Sequence, residues 1–327
     1  MLYFSVNALL LVVSFVALIK GADFFVDGSS ALAKIFKVPS LIIGLTVVAL
    51  GTSLPELAVS TSAALQGSNE IAVSNVVGSN IFNLLVVLGV CAVIHRVPVD
   101  KIVIKRDFPI SVLALVLVLA VTGLPSILGG SFFSLKMEEN VGLVYRWLGL
   151  LLLLFFVIYI IYLIIDSKKH PVQEEEFAEK PLWKCILLIV GGIVAITLGG
   201  KLVVYSAQNL ARFFGMTETL IGLTVVALGT SLPELVTSII AARKGEVELA
   251  VGNVVGSNIF NILLILGVSS AIHPVAVNAA SVYDMTILLS VSIMTWLFCL
   301  GGKGINRIKG LVMVLAYVGT VIFAIVR

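Results

Sequence analysis

Apolar residues occupy ten long stretches of this chain, and short polar turns separate most of them. A helix needs about 20 predominantly apolar residues to cross the hydrocarbon core of a membrane, and each stretch is near or above that length. The pattern predicts ten membrane-spanning helices, at residues 3–35, 40–65, 70–94, 103–122, 141–165, 182–213, 218–242, 248–272, 283–301 and 306–326.

A polar segment at residues 166–181 divides these stretches into two groups of five. We therefore predict a first repeat at 1–165, a linker at 166–181 and a second repeat at 182–327. Residues 43–57 read IGLTVVALGTSLPEL, and residues 221–235 repeat them without a change. Because each half has an odd number of spans, the second copy enters the membrane from the opposite side. The predicted fold class is an all-α membrane protein with ten transmembrane helices in two inverted five-helix repeats.

The composition agrees with a membrane protein, since 60% of the residues are apolar, 12% are charged and the mean hydropathy is +1.17. A net charge of +3 without a basic stripe indicates no nucleic-acid partner, and no protein partner is indicated. The three cysteines have no metal-binding or disulfide spacing, so no cofactor is expected. The expected partners are transported ions and the lipid bilayer.

Basic residues predict the orientation in the membrane. With the N-terminus outside, one set of loops and helix ends holds fifteen lysines and arginines, and the other set holds only Lys136, Arg146, Arg212 and Arg327. Cytoplasmic loops carry the excess of such residues. Both termini are therefore predicted to be extracytoplasmic, and the 166–181 linker cytoplasmic.

Glu56 and Glu234 occupy equivalent positions, 178 residues apart, in the repeated segment. A charged group inside a membrane costs several kcal/mol, and such groups usually mark an ion or proton path. Pro55 and Pro233 precede them and interrupt the helical hydrogen bonds. The expected result is a set of free carbonyls at 49–52 and at 227–230, beside the hydroxyls of Ser53 and Ser231.

A second repeated block is AVSNVVGSNIFN at 72–83, matched by AVGNVVGSNIFN at 250–261. Its polar residues recur every four positions and so share one helix face, as Asn75, Ser79 and Asn83 in the first copy and as Asn253, Ser257 and Asn261 in the second. One interpretation is that these faces line an ion cavity. The other is that Asn75 and Asn253 only hydrogen-bond neighbouring helices.

Carboxylate, carbonyl, amide and hydroxyl oxygens are the ligands of calcium, and sodium accepts the same ligands. Two carboxylates neutralise one divalent ion or are shared among several monovalent ions. Neither block contains Cys or His, which argues against soft-metal chemistry.

The paired GTSLPE and GSNIFN motifs resemble the alpha repeats of the calcium/cation antiporter superfamily, in its prokaryotic sodium/calcium exchanger branch. The resemblance covers essentially the whole chain. It implies that the carboxylates of Glu56 and Glu234 bind calcium with the carbonyls of Thr52 and Thr230. Sodium would use the hydroxyls of Ser53, Ser79, Ser231 and Ser257 with the carbonyls of Ala49 and Ala227.

One departure from the family concerns the end of the GSNIFN motifs. Some members carry an aspartate at the end of the second motif, whereas this chain has Asn83 and Asn261 at the two ends. The expected site then has two formal negative charges instead of three, which affects ion stoichiometry and any potassium dependence.

These observations predict a secondary-active antiporter that exchanges sodium for calcium in the plasma (inner) membrane of a prokaryote. A calcium/proton antiporter is the alternative, since buried carboxylates also bind protons. A passive channel would use the same ligands, but an inverted repeat with broken helices favours alternating access. No catalytic motif indicates an enzyme.

Overall fold

The fold is given by a computed structural model that describes residues 2–66, 70–128, 137, 139–169, 180–216, 227–300 and 304–326. Most of these residues are helical. In chain order the elements are α1 (Leu2–Phe36), α2 (Ser40–Ile43), π1 (Gly44–Val48), α3 (Ala49–Thr52), α4 (Leu54–Leu65), α5 (Glu70–Phe82), π2 (Asn83–Val87), α6 (Leu88–Ile94), π3 (Val103–Asp107), α7 (Phe108–Leu128), β1 (Asn140–Val144), α8 (Arg146–Lys169), α9 (Leu182–Phe213), α10 (Ala227–Gly229), α11 (Leu232–Arg243), α12 (Val247–Phe260), π4 (Asn261–Ile265), α13 (Leu266–Ile272), β2 (Val275–Asn278), α14 (Ala279–Leu300) and α15 (Arg307–Val326).

Within the described residues, seven helical segments are long and apolar enough to cross a membrane, and one bent helix pair is an eighth candidate. These eight coincide with eight of the ten predicted stretches. The fourth predicted stretch falls on π3 and α7, and the described part of the seventh falls on α10 and α11. Residues 218–226 of that stretch lie outside the described residues. The chain is therefore a mainly helical, multi-pass membrane protein.

The helix break predicted from Pro55 is confirmed. The segments Ser40–Thr52 and Leu54–Leu65 meet at an angle of 49°, and Ser53 between them has φ −85° and ψ 6°. Ser231 precedes α11 with nearly the same angles, φ −91° and ψ 4°. In both copies the proline is the second residue of the new helix. N–H groups in the first turn have no partner within the helix, so a proline there costs no helical hydrogen bond.

By packing, the described chain divides into two units that each combine part of both sequence halves. The first unit contains residues 1–55 and 167–253, and the second contains residues 56–166 and 254–327. A boundary therefore falls between Pro55 and Glu56, at the broken helix.

In the first unit, α1 and α9 pack closely because glycines allow their backbones to approach. A methyl group on Gly192 would lie 2.8 Å from the Gly21 carbonyl oxygen, and one on Gly199 would lie 2.9 Å from the Leu18 nitrogen. Such small residues commonly form the contacts between membrane helices. Gly191, the neighbour of Gly192, has no atom within 4 Å of the equivalent position among the described residues.

Lys244, in the turn after α11, connects that turn to α1 in the same unit. Its Nζ lies 2.6 Å from Asp23 Oδ1 and 2.6 Å from Asp27 Oδ1. Partial burial disfavours the charged amine, but the two carboxylates outweigh this effect and hold the pKa of Lys244 above its ordinary value. The turn is thus fixed to α1 by a charged contact between residues far apart in the sequence.

The second unit contains a two-stranded antiparallel sheet, in which β1 pairs with β2 through Val144 with Val275 and Leu143 with Ala276. The described chain is otherwise mainly helical, as predicted, but residues 140–144 form a strand, and the fifth predicted helix begins at Arg146 instead of 141. The apolar run at 140–144 forms a strand because β2 supplies its hydrogen-bonding partner. An isolated antiparallel bridge between Val97 and Ile305 joins two further loops of this unit.

Candidate functional site

The first polar cluster lies in the first unit and surrounds Glu234. We define the Glu234 cluster as Thr52, Ser53, Glu234, Ser238 and Asn253, all of them buried. The Ser53 hydroxyl donates a hydrogen bond of 3.1 Å to Glu234 Oε1. The other carboxylate oxygen, Oε2, is buried and has no hydrogen-bond partner among the described residues. Glu234 Oε2 can therefore still accept a hydrogen bond or bind a cation.

The cluster is completed by the side chain of Asn253. The Thr52 hydroxyl donates to Asn253 Oδ1 at 2.9 Å, and Asn253 Nδ2 donates to the Ser238 hydroxyl at 2.9 Å. The same Nδ2 lies 3.5 Å from the Glu234 backbone carbonyl. Asn253 thus connects the helix that carries Thr52 to the helix that carries Glu234.

A close helix contact brings Asn253 to this place. A methyl group on Gly44 would lie 2.9 Å from the Gly252 Cα, and one on Gly252 would lie 2.8 Å from the Gly44 Cα. Neither position has room for a larger side chain, so π1 and α12 approach backbone to backbone. Asn253 follows Gly252 directly and reaches Thr52 across this contact.

The second polar cluster lies in the second unit and surrounds Glu56. We define the Glu56 cluster as Glu56, Ser60, Asn75 and Ser79. Glu56 is fully buried, and the Ser79 hydroxyl lies 3.5 Å from its Oε1. Asn75 Nδ2 donates to the Ser60 hydroxyl at 2.9 Å and to the Glu56 backbone carbonyl at 3.3 Å.

The sequence repeat is reproduced in these contacts. Asn75 and Asn253 are equivalent residues, and each bonds the serine four positions after the glutamate of its own cluster, Ser60 or Ser238. These are the hydrogen bonds to neighbouring helices that one of the two interpretations predicts. Each asparagine holds its glutamate-bearing helix in place, and no contact with an ion is needed to explain it.

A group of buried asparagines lies in the second unit, near the junctions of α5 with π2 and of α12 with π4. Asn83 and Asn261 are each 1% exposed, and the Oδ1 atom of each has no hydrogen-bond partner among the described residues. An unsatisfied buried acceptor costs about 1–3 kcal/mol, so such groups need an explanation. Both residues were predicted from the sequence as ion ligands, and the orphaned oxygens fit that role.

Asp107 shows how the second unit stabilises a buried carboxylate in another place. It is fully buried, and it accepts hydrogen bonds from Arg106 Nε at 2.8 Å and from the Tyr159 hydroxyl at 3.0 Å. A guanidinium thus balances its charge. Glu234 Oε1 accepts instead from the neutral Ser53 hydroxyl. The contrast singles out Glu234 as a carboxylate whose observed contacts supply polar oxygens rather than an opposite charge.

The remaining predicted residues divide between the two units. Ser231 in the first unit and Ser257 in the second are fully buried, and Thr230 is half-buried. Ala227 begins α10, and the residues before it lie outside the described residues. The Ala49 carbonyl accepts a hydrogen bond of 3.0 Å from the Ser53 N–H. The expectation that this carbonyl is free was therefore wrong, although its second lone pair can still accept.

Two pairs of buried polar residues, one pair in the two clusters and one pair among the buried asparagines, were not predicted from the sequence. Ser60 and Ser238 accept the hydrogen bonds of Asn75 and Asn253. Asn80 accepts from Asn261, and the Asn258 carbonyl accepts from Asn80. Both pairs obey the same 178-residue repeat as the glutamates, which was a usable signal. Asn80 and Asn258 lie one position off the predicted polar stripe, and Ser60 and Ser238 lie beyond the end of the first repeated motif.

The side-chain atoms in both clusters that could bind a metal ion are hard oxygen atoms of carboxylates, amides and hydroxyls. Such atoms bind alkali and alkaline-earth cations rather than soft metals. In the described part of the chain, no group of three or more His, Cys, Asp or Glu side chains is arranged to hold a metal ion. A cation at either cluster would contact neutral oxygens in addition to the glutamate.

Comparison with known proteins gives concordant results. The family described as sodium/calcium exchanger protein matches residues 6–165 and 184–326. The putative antiporter CaxA of Alkalimonas amylolytica is 36% identical over 323 residues, covering 96% of this chain and 97% of CaxA. The sodium/calcium exchanger MaX1 of Methanosarcina acetivorans is 35% identical over 339 residues, covering 96% and 97%. A solved structure of the sodium-calcium exchanger NCX_Mj superposes with a TM-score of 0.77 at 28% identity, covering 96% of each chain.

Proposed function

This chain belongs to the sodium/calcium exchanger family of membrane antiporters, and we propose that it exchanges sodium for calcium by alternating access in the plasma (inner) membrane of a prokaryote. The names of MaX1 and NCX_Mj support this choice of ions, because both are called sodium/calcium exchangers and both align with nearly the whole chain.

The observation that carries the proposal is the burial of the two repeated glutamates. Glu56 is 0% and Glu234 is 1% exposed, and Glu234 Oε2 has no hydrogen-bond partner within the described residues. Burying a carboxylate costs several kcal/mol unless a cation or donors compensate it. A transported cation supplies that compensation, whereas an apolar side chain would stabilise a purely structural helix at lower cost.

We assign calcium to the carboxylates of Glu56 and Glu234 with the carbonyls of Thr52 and Thr230. Asn83 and Asn261 are proposed as further ion ligands, since an amide oxygen only accepts and the Oδ1 of each has no hydrogen-bond partner among the described residues. Sodium is assigned to the hydroxyl and carbonyl oxygens of the same segments, namely Ser53, Ser79, Ser231, Ser257, Ala49 and Ala227. Two carboxylates carry enough negative charge to neutralise one divalent ion, or they can be shared among several monovalent ions.

The proposed architecture has ten spanning helices in two inverted repeats, 1–165 and 182–327, joined by a cytoplasmic linker at 166–181. Both termini are proposed to be extracytoplasmic. Two contacts inside the second unit support this topology. β1 pairs with β2, and Val97 pairs with Ile305. In the proposed topology, the two partners of each pair lie on the same side of the membrane.

Purified protein in liposomes tests the choice of ions. Liposomes loaded with sodium and diluted into sodium-free buffer with calcium, at equal buffered pH on both sides, are expected to accumulate calcium. Liposomes with an acidic interior and no sodium are expected not to accumulate it. Liposomes with the Glu234→Gln variant serve as the control for leakage, since glutamine keeps the shape of the side chain but lacks the carboxylate.

The opposite result would identify a calcium/proton antiporter, because buried carboxylates also bind protons. Calcium accumulation driven by the pH gradient alone, with none driven by sodium, would overturn the proposal. Calcium entry without either gradient, at a rate set only by the calcium gradient, would indicate a passive channel instead.

A further inference from the structure

Three asparagines of the second unit form a directed chain of hydrogen bonds. Asn80 Nδ2 donates to the backbone carbonyl of Asn258 at 3.2 Å, and Asn261 Nδ2 donates to Asn80 Oδ1 at 2.8 Å. Asn80 and Asn261 are each 1% exposed, and Asn258 is 3% exposed. Because these residues are almost fully buried, the hydrogen bonds among them decide how the amides are turned.

The direction of the chain follows from its first member. A backbone carbonyl can only accept, so the Asn80 atom beside the Asn258 carbonyl is the NH₂ group. The Oδ1 of Asn80 then faces Asn261, and it requires the NH₂ group of Asn261. The carboxamide of Asn261 has one remaining end, and that end is its oxygen. This oxygen is buried, with no hydrogen-bond partner in the described part of the chain.

We propose that Asn80 is a positioning residue that turns the Asn261 oxygen toward the transported cation. The inference rests on the proposed function, in which Asn261 is an ion ligand. A carboxamide that rotates by half a turn presents NH₂ in place of oxygen, and its partial positive charge repels a cation. Asn80 prevents this rotation, because a rotated Asn261 would place its oxygen against the oxygen of Asn80.

This role explains why an asparagine at position 261 needs a partner that an aspartate would not need. Both terminal atoms of an aspartate are oxygens, so either orientation presents a ligand. Asn80 Oδ1 lies 2.8 Å from Asn261 Nδ2. With an aspartate at position 261, an oxygen would replace that nitrogen, and the two oxygens would repel each other. The effect of removing the Asn80 side chain should therefore depend on which residue occupies position 261.

A double-mutant cycle tests this dependence. Calcium binding is measured by isothermal titration calorimetry on the purified protein, and the calcium half-saturation of exchange is measured in liposomes. Asn80→Ala is expected to weaken calcium binding about tenfold or more, the usual effect of removing a group that orients a metal ligand. In the Asn261→Asp background, the same change is expected to cause no weakening, because orientation no longer matters there.

Asn75→Ala is the matched control, since Asn75 is an asparagine of the same helix that bonds Ser60 instead of Asn261. It is expected to change calcium binding by the same factor in both backgrounds. If Asn80→Ala also had equal effects in both backgrounds, Asn80 would contribute packing alone and the proposal would be overturned.

Asn261→Ala separates this inference from the proposed function. Unchanged calcium binding in Asn261→Ala would remove Asn261 from the site and would overturn the role of Asn80 with it. Weakened binding in Asn261→Ala, together with full affinity in Asn80→Ala, would overturn only the role of Asn80.

Discussion

The two oxygens of Glu234 differ in their surroundings, and this difference determines what the residue can do. Oε1 accepts from Ser53, while Oε2 is buried without a partner among the described residues. The residue is therefore unfavourable for stability but suited to binding a cation. Replacing it by glutamine separates these two effects, because the shape is kept and the charge is removed.

We expect Glu234→Gln and Glu56→Gln each to reduce calcium exchange by about 100-fold or more, since a charged ligand contributes about 3 kcal/mol. Without calcium, the melting temperature in detergent should stay equal or rise, because a buried charge has been removed. The rise in melting temperature that calcium gives the parent should disappear. Both quantities are measured on the same purified samples.

Glu248→Gln is the control for these variants, since Glu248 is an exposed glutamate in the first turn of α12. It should retain exchange and the stabilisation by calcium. Near-normal exchange in either buried variant would show that the corresponding glutamate is not a ligand.

Among the helices, the packing of α1 against α9 depends on backbone contacts. A methyl group on Gly192 would meet the Gly21 carbonyl oxygen and the Phe25 nitrogen, both at 2.8 Å. These atoms belong to a helix backbone, which cannot move away as a flexible side chain does. The contact therefore limits which residues are tolerated along this face of α9.

Gly192→Ala is expected to destabilise the protein by about 1–3 kcal/mol through overpacking. The adjacent Gly191→Ala is the matched control, because no described atom lies within 4 Å of its new methyl group and alanine favours the helix. Thermal unfolding in detergent, followed by size-exclusion fluorescence, should show a lower melting temperature for Gly192→Ala alone. Equal melting temperatures would mean that the two helices separate readily at this point.

The molecule as a whole crosses the membrane several times, and the positions of its loops set the orientation of the repeats. Asn140 and Lys168 flank α8, and both are exposed. If α8 spans the membrane once, these residues lie on opposite sides. The excess of basic residues assigns the Lys168 side to the cytoplasm.

A variant without Cys91, Cys185 and Cys299 allows this assignment to be measured. A single cysteine at Asn140 is expected to react in intact cells with a membrane-impermeant thiol reagent. One at Lys168 is expected to react only after the cells are opened. Labelling of both positions in intact cells would remove the fifth span, and the two halves would then be parallel instead of inverted.

Much of the fold could be predicted from the sequence, since its signals are local. The apolar stretches fixed the position of the spans, because about 20 apolar residues in a row have few stable alternatives to a membrane helix. Pro55 marked the break in the second span. The strand at 140–144 could not be predicted, because an apolar run becomes a strand only when a distant partner such as β2 is available.

The sequence by itself determined the family, the membrane location and the two repeated glutamates, because these depend on composition, identity and spacing. Only the tertiary structure decided which side chains meet. Asn253 reaches Thr52 across 201 positions, Lys244 reaches Asp23 across 221, and Asn261 reaches Asn80 across 181. Such contacts depend on how helices pack and on which way an amide is turned. The spacing of residues along one helix determines neither the packing of helices nor the orientation of an amide.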